Sequence, residues 1–110
     1  MIEDLKVLKN IGSFTGLEFG LFRMKKGLSE ENMLRMAEAA EQKFLSNESG
    51  FLGHAILKGQ NGLYSDLTFA KTKNDAEMIC GKWMNNEFTL KYLEFIDPET
   101  VDMSFWSRIK

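Results

Sequence analysis

The stretch GFLGHAILKGQNGLYSDLTFAK, residues 50–71, constrains the fold more than any other part of this chain. Two runs rich in aliphatic and aromatic residues flank GQNG, and such a pair around a short glycine-containing connection reads as a β-hairpin. The flanking segments supply what the hairpin packs with. LEFGLFRM (17–24) reads as a strand that runs out at KKG. In SEENMLRMAEAAEQKFLS, Ser29 is a good N-cap, Glu30 and Glu31 meet the positive end of the helix dipole, and Met33, Met36, Ala37, Ala40 and Phe44 recur on one face.

After the hairpin, NDAEMICGKWMNN predicts a helix capped by Asn74 with a buried stripe of Ala76, Ile79, Cys80 and Trp83. The Asn-Asn pair interrupts it, and EFTLKYLEFI predicts a second short helix with Phe88, Tyr92 and Phe95 or Ile96 on one side. Pro98 stops that helix, and VDMSFWSRI is a last strand. The order strand, helix, strand, strand, helix, strand is the ferredoxin-like βαββαβ arrangement, an α+β fold with an antiparallel sheet and helices on one face. Residues 17–110 are expected to form that single domain, and residues 1–16 an arm or a short extra helix.

Bulk properties exclude several function classes. A chain of 110 residues supports one modest core. Its 14 basic and 16 acidic side chains, net −2, give no electrostatic reason to expect nucleic acid or an acidic membrane as partner. The N-terminal MIEDLKVLKN does not read as a signal peptide, and no run approaches the ~20 apolar residues of a spanning helix, so a cytoplasmic protein is expected. One cysteine excludes an internal disulfide, and one cysteine with one histidine does not make a zinc site, so no metal is expected. GQNG is a turn rather than a phosphate loop, and neither a P-loop nor a dinucleotide-binding glycine pattern occurs.

Strand parity divides the side chains between two faces. An even-sized hairpin loop puts Leu17, Phe19, Leu21, Leu52, His54, Ile56, Leu63, Ser65, Leu67 and Phe69 together, with Val101, Met103 and Phe105. The other face then holds Glu18, Gly20, Phe22, Gly53, Ala55, Tyr64, Asp66, Thr68, Ala70 and Trp106. A bulge swaps such assignments, and a slip of one residue would carry His54 to Asp66. Neither face is polar enough to be solvated. With helices covering one face, the other requires a partner sheet, most simply from a second copy of the chain packed face to face as a homodimer.

With GFLGHAILKGQNGLYSDLTFAKTKNDAEMI in the middle and FIDPETVDMSFW near the end, the chain resembles the dimeric α+β barrel superfamily over roughly residues 15–108. Within it, the sequence is similar to the small proteins grouped with antibiotic-biosynthesis monooxygenases. That resemblance implies a pocket between sheet and helices, with small residues such as Gly20, Gly53, Ala55 and Ala70 leaving room for a ligand. The haem-degrading branch carries an asparagine, a tryptophan and a histidine where this chain has Gly20, Ala70 and Tyr92, which disfavours haem chemistry. A cofactor-independent oxygenase, requiring no cofactor, needs only to bind a small aromatic or polyketide-like molecule and stabilise its phenolate.

On that reading Asp66 is the general base or orients one, with Tyr64 and His54 as further catalytic candidates. Phe22 and Trp106 stack on the ring, and Thr68 and Tyr92 complete the binding set. The plainer alternative places Tyr64 and Asp66 in water at the open end of the hairpin, Trp106 in the core, and His54 as a neutral imidazole on the apolar stripe. The chain is then a non-catalytic dimeric module that binds a small molecule or serves a structural role.

Overall fold

The computed structural model describes residues 12–110. Its elements are β1 (Gly16–Arg23), α1 (Glu30–Lys43), β2 (Phe51–Lys58), β3 (Leu63–Ala70), α2 (Lys73–Gly81), α3 (Glu87–Leu93) and β4 (Asp102–Ser107). The strands form one antiparallel sheet in the order β2-β3-β1-β4, with the helices on one face. This is the ferredoxin-like α+β arrangement that the element order implies. Most of the expected arm over 1–16 lies outside the described residues, and Thr15 already joins the sheet edge through the Arg108 amide at 2.7 Å. Among the described residues no helix is long and apolar enough to cross a membrane.

Local chemistry sets the helix ends. Ser29 caps α1 by accepting from the Asn32 amide, and Met33, Ala37 and Ala40 turn inward. At α2 the cap is Thr72 rather than Asn74: its hydroxyl accepts from the Asp75 amide, and Asn74 lies within the helix. Asn86 caps α3 by accepting from the Phe88 and Thr89 amides. The helix stops at Leu93, short of the end expected from Pro98, because the chain turns back to β1. Ile96 bridges Met24, the Lys25 amide donates to Phe95 at 2.9 Å, and the Asp97 amide donates to Arg23 at 2.9 Å.

The hairpin loop is odd, which reverses the expected faces of β2. Gly59 donates to Leu63 at 2.7 Å, enclosing Gln60, Asn61 and Gly62. Asn61 and Gly62 adopt φ of 56° and 79°, the left-handed backbone that closes a three-residue loop. His54 therefore pairs with Thr68 and Ile56 with Asp66, on the helix-covered face, while Gly53 and Ala55 turn outward. Only a register shift between Phe51 and Gly53 brings Phe51 back toward the core.

The parity of β4 is reversed too. Met103 pairs with Gly20 and Phe105 with Glu18, so both face the helices, whereas Trp106 pairs with Leu17 on the outer face, where it is 57% exposed. Gly16 marks a close approach of β1 to α2, since a Cβ there would lie 2.0 Å from the Thr72 carbonyl oxygen. The outer face keeps the apolar stripe of Leu17, Phe19, Leu21, Leu67 and Phe69.

Candidate active site

The helix-covered face holds a concentration of polar groups in an otherwise apolar core. On β3, Asp66 is buried and both of its carboxylate oxygens are engaged. His54 Nε2 lies 2.9 Å from Oδ1, and the Tyr92 hydroxyl donates to Oδ2 at 2.6 Å. Tyr92 comes from α3 and is fully buried. The His54 ring stands edge-on to Trp83 at 6.4 Å, and Trp83 contacts Tyr92 at 5.8 Å. A turn holds Trp83 in place, with the Thr89 hydroxyl donating to its carbonyl at 2.5 Å.

Beside this cluster, Glu18 on β1 is 4% exposed, and its Oε2 has no hydrogen-bond partner among the described residues. A cavity of about 80 Å³ opens between the sheet, α2 and α3. Its polar walls are Glu18, Asp66, Tyr92 and Cys80. Its apolar walls include Phe22, Trp83, Leu93 and Ile96, with Val101 and Met103 more exposed beside β4. The Trp83 indole N–H is also buried without a partner among the described residues, so the lining residues carry one donor and one acceptor that these residues leave unpaired.

Electrostatics follow from the crowding. Burial, reinforced by Asp66, pushes the Glu18 carboxyl up to about 8, with His54 and the Cys80 thiol pulling the other way. Burial and Glu18 push Cys80 up to about 12, so it remains a thiol. Burial, then Asp66, then Glu18, lift the Tyr92 hydroxyl far above its ordinary value and fix it as a donor. For His54, burial alone would lower the imidazole, but Asp66, then Glu41 and Glu18, act against it and hold it above its ordinary value.

The structure thus brings together Asp66, His54, Tyr92 and Phe22, with Thr68 fully buried between His54 and Glu18 in the sheet. Tyr64 lies outside the cavity. It stacks on Phe22 at 5.5 Å and donates to Glu30 at 2.6 Å, while Lys58 holds the same Glu30 at 2.9 Å. The hydrogen bond to Glu30, then burial, raise the Tyr64 hydroxyl. Trp106 lies on the opposite side of the sheet, where its indole donates to Ser104 at 2.7 Å. Glu18, Trp83 and Cys80 were not among the expected site residues. An acid inside an apolar strand was the visible signal for Glu18.

No protein-family model matches the sequence, and no curated protein matches it either. Solved structures do. A putative antibiotic biosynthesis monooxygenase from Bordetella bronchiseptica superposes with a TM-score of 0.67 at 12% identity, over 88% of this chain and 99% of that one. A variant of SnoaB, a cofactor-independent oxygenase from Streptomyces nogalater, gives 0.61 at 10% identity, over 86% and 93%. A variant of MhuD with manganese protoporphyrin bound gives 0.58 at 14% identity, over 86% and 95%. The residues here do not fit a haem: Tyr92 is engaged by Asp66, and the one imidazole of the chain is held in the sheet by the same carboxylate. Element order, sheet order and these superpositions agree, and the chain has the ferredoxin-like fold of the antibiotic biosynthesis monooxygenase-like proteins.

Proposed function

We propose that this chain is a cofactor-independent monooxygenase-like enzyme for a small phenol or hydroquinone. The observation that carries the reading is the cavity itself, with aromatic and aliphatic walls and, among its lining residues, a buried carboxyl oxygen (Glu18 Oε2) and a buried indole N–H (Trp83) that have no partner among the described residues. A phenolic hydroxyl both donates and accepts, which is what those two groups lack. At about 80 Å³ the cavity is smaller than the ~150 Å³ dry cavity that takes benzene, so a single ring is the largest occupant we propose, and it enters only as the partly exposed Met103 and Val101 give way.

The chemistry needs one proton removed and one supplied. Tyr92 accepts the substrate's hydroxyl proton as it passes its own to Asp66, and the electron-rich phenolate passes electrons to dioxygen. Oxygen bonds to the ring carbon para to the hydroxyl, giving a hydroperoxide. Loss of water from it leaves a carbonyl, so phenol and dioxygen become quinone and water. Glu18, protonated below about pH 8, is the acid that assists departure of the second oxygen.

Oxygen consumption with a panel of single-ring phenols tests this. The expected result is one dioxygen per phenol, with a kcat lowered by about 10²-fold in Glu18→Gln. If no phenol quenches the tryptophan fluorescence and oxygen uptake stays at the level of a protein-free control, the oxygenase reading is lost.

The partly exposed apolar stripe on the outer sheet face supports a second inference, that two copies associate through it as a homodimer.

A further inference from the structure

His54 faces two spaces at once. Toward the interior, Nε2 meets Asp66, which lines the cavity. Toward the exterior, Nδ1 lies 3.8 Å from Glu41 Oε1, in an open groove of about 250 Å³ beside β2 that Glu38 also lines. The side chain of Glu41 is 40% exposed, whereas that of His54 is 4% exposed. A series of polar atoms therefore runs from the cavity toward solvent: Tyr92 to Asp66 at 2.6 Å and Asp66 to His54 at 2.9 Å are hydrogen bonds, and the 3.8 Å from His54 to Glu41 is a gap that one water spans.

We propose that Asp66, His54 and Glu41 conduct protons between the cavity and the solvent groove. The charged groups facing His54 come from three elements, Asp66 on β3, Glu41 on α1 and Glu18 on β1, and together they hold the imidazole above its ordinary value against its burial.

Each step moves one proton and no electrons. As a bound hydroxyl gives its proton to Tyr92, Tyr92 passes its own to Asp66 and stays neutral throughout. In the tautomer protonated on Nδ1, His54 accepts a proton from Asp66 at Nε2. The 3.8 Å between Nδ1 and Glu41 is too long for a direct hydrogen bond, so the imidazolium releases its Nδ1 proton through a groove water to Glu41. His54 and Glu41 are positioned as relay residues and do not touch the substrate. In this form the inference rests on the oxygenase reading, but the relay itself is a property of the free protein.

Because the chain has one histidine, its ring protons are read individually by nitrogen-15 NMR. In the full-length protein, exchange of the ring protons with water is expected to slow by about tenfold or more in Glu41→Gln. The Nε2 resonance should keep its Asp66-bonded signature, and thermal unfolding should be unchanged. Equal exchange rates in the wild type and Glu41→Gln overturn the relay, whatever phenols do. Slowed exchange in a protein that consumes no oxygen supports the relay and removes only the oxygenase reading.

Discussion

At the scale of single residues, Glu18 departs far from ordinary carboxyl behaviour. Its carboxyl stands at about 8 in the folded chain against 4.5 when exposed, because burial disfavours the charge and Asp66 opposes it further. A group raised on folding contributes stability that is fully present below its unfolded value and lost as pH rises through its folded one. Stability should therefore fall between pH 4.5 and about 8, by a few kcal/mol in all, since each pH unit separating the two values is worth about 1.4 kcal/mol. His54, also raised, adds a loss of the same sign above its ordinary value. Urea denaturation across that range checks the slope, and Glu18→Gln should flatten most of it while leaving the histidine part. A wild-type stability that rises from pH 5 to 8 would contradict the assigned burial of Glu18.

At the scale of elements, the hairpin loop decides which residues meet. Gly62 sits at φ 79°, and Arg23 reaches across from β1 to the Asn61 carbonyl. Gly62→Val is expected to cost about 1–2 kcal/mol through left-handed backbone strain. That would lower the melting temperature by roughly 5–10 °C in a scanning calorimeter. The loop also explains what the sequence could and could not convey. The strands, the Ser29 cap and the inward stripe of α1 were legible because hydrophobic period and cap chemistry are local. Face assignment was not, because GQNG is compatible with either an even or an odd loop, and one residue of difference moves His54 from the outer stripe to Asp66. Trp106 and Met103 exchanged sides for the same reason, since parity cannot be carried through the turn before β4. Trp83 escaped notice as a site residue because a short turn after α2, rather than the helix itself, aims it at Tyr92.

At the scale of the whole molecule, the sheet separates two tasks. Helices and cavity occupy one side, and the stripe of Leu17, Phe19, Leu21, Leu67 and Phe69 occupies the other, with Trp106 beside it. Sedimentation of the wild type should report a dimer, and Leu67→Glu, a charge in the middle of that stripe, should shift it to monomer with its melting transition retained. A wild type that sediments as a monomer at micromolar concentration would remove the association. The cavity at the back of the sheet is lined by residues of one chain and opens beside Val101 and Met103. Copies joined through the outer face would thus each hold a complete cavity, with Leu21 belonging both to the shared stripe and to the cavity lining.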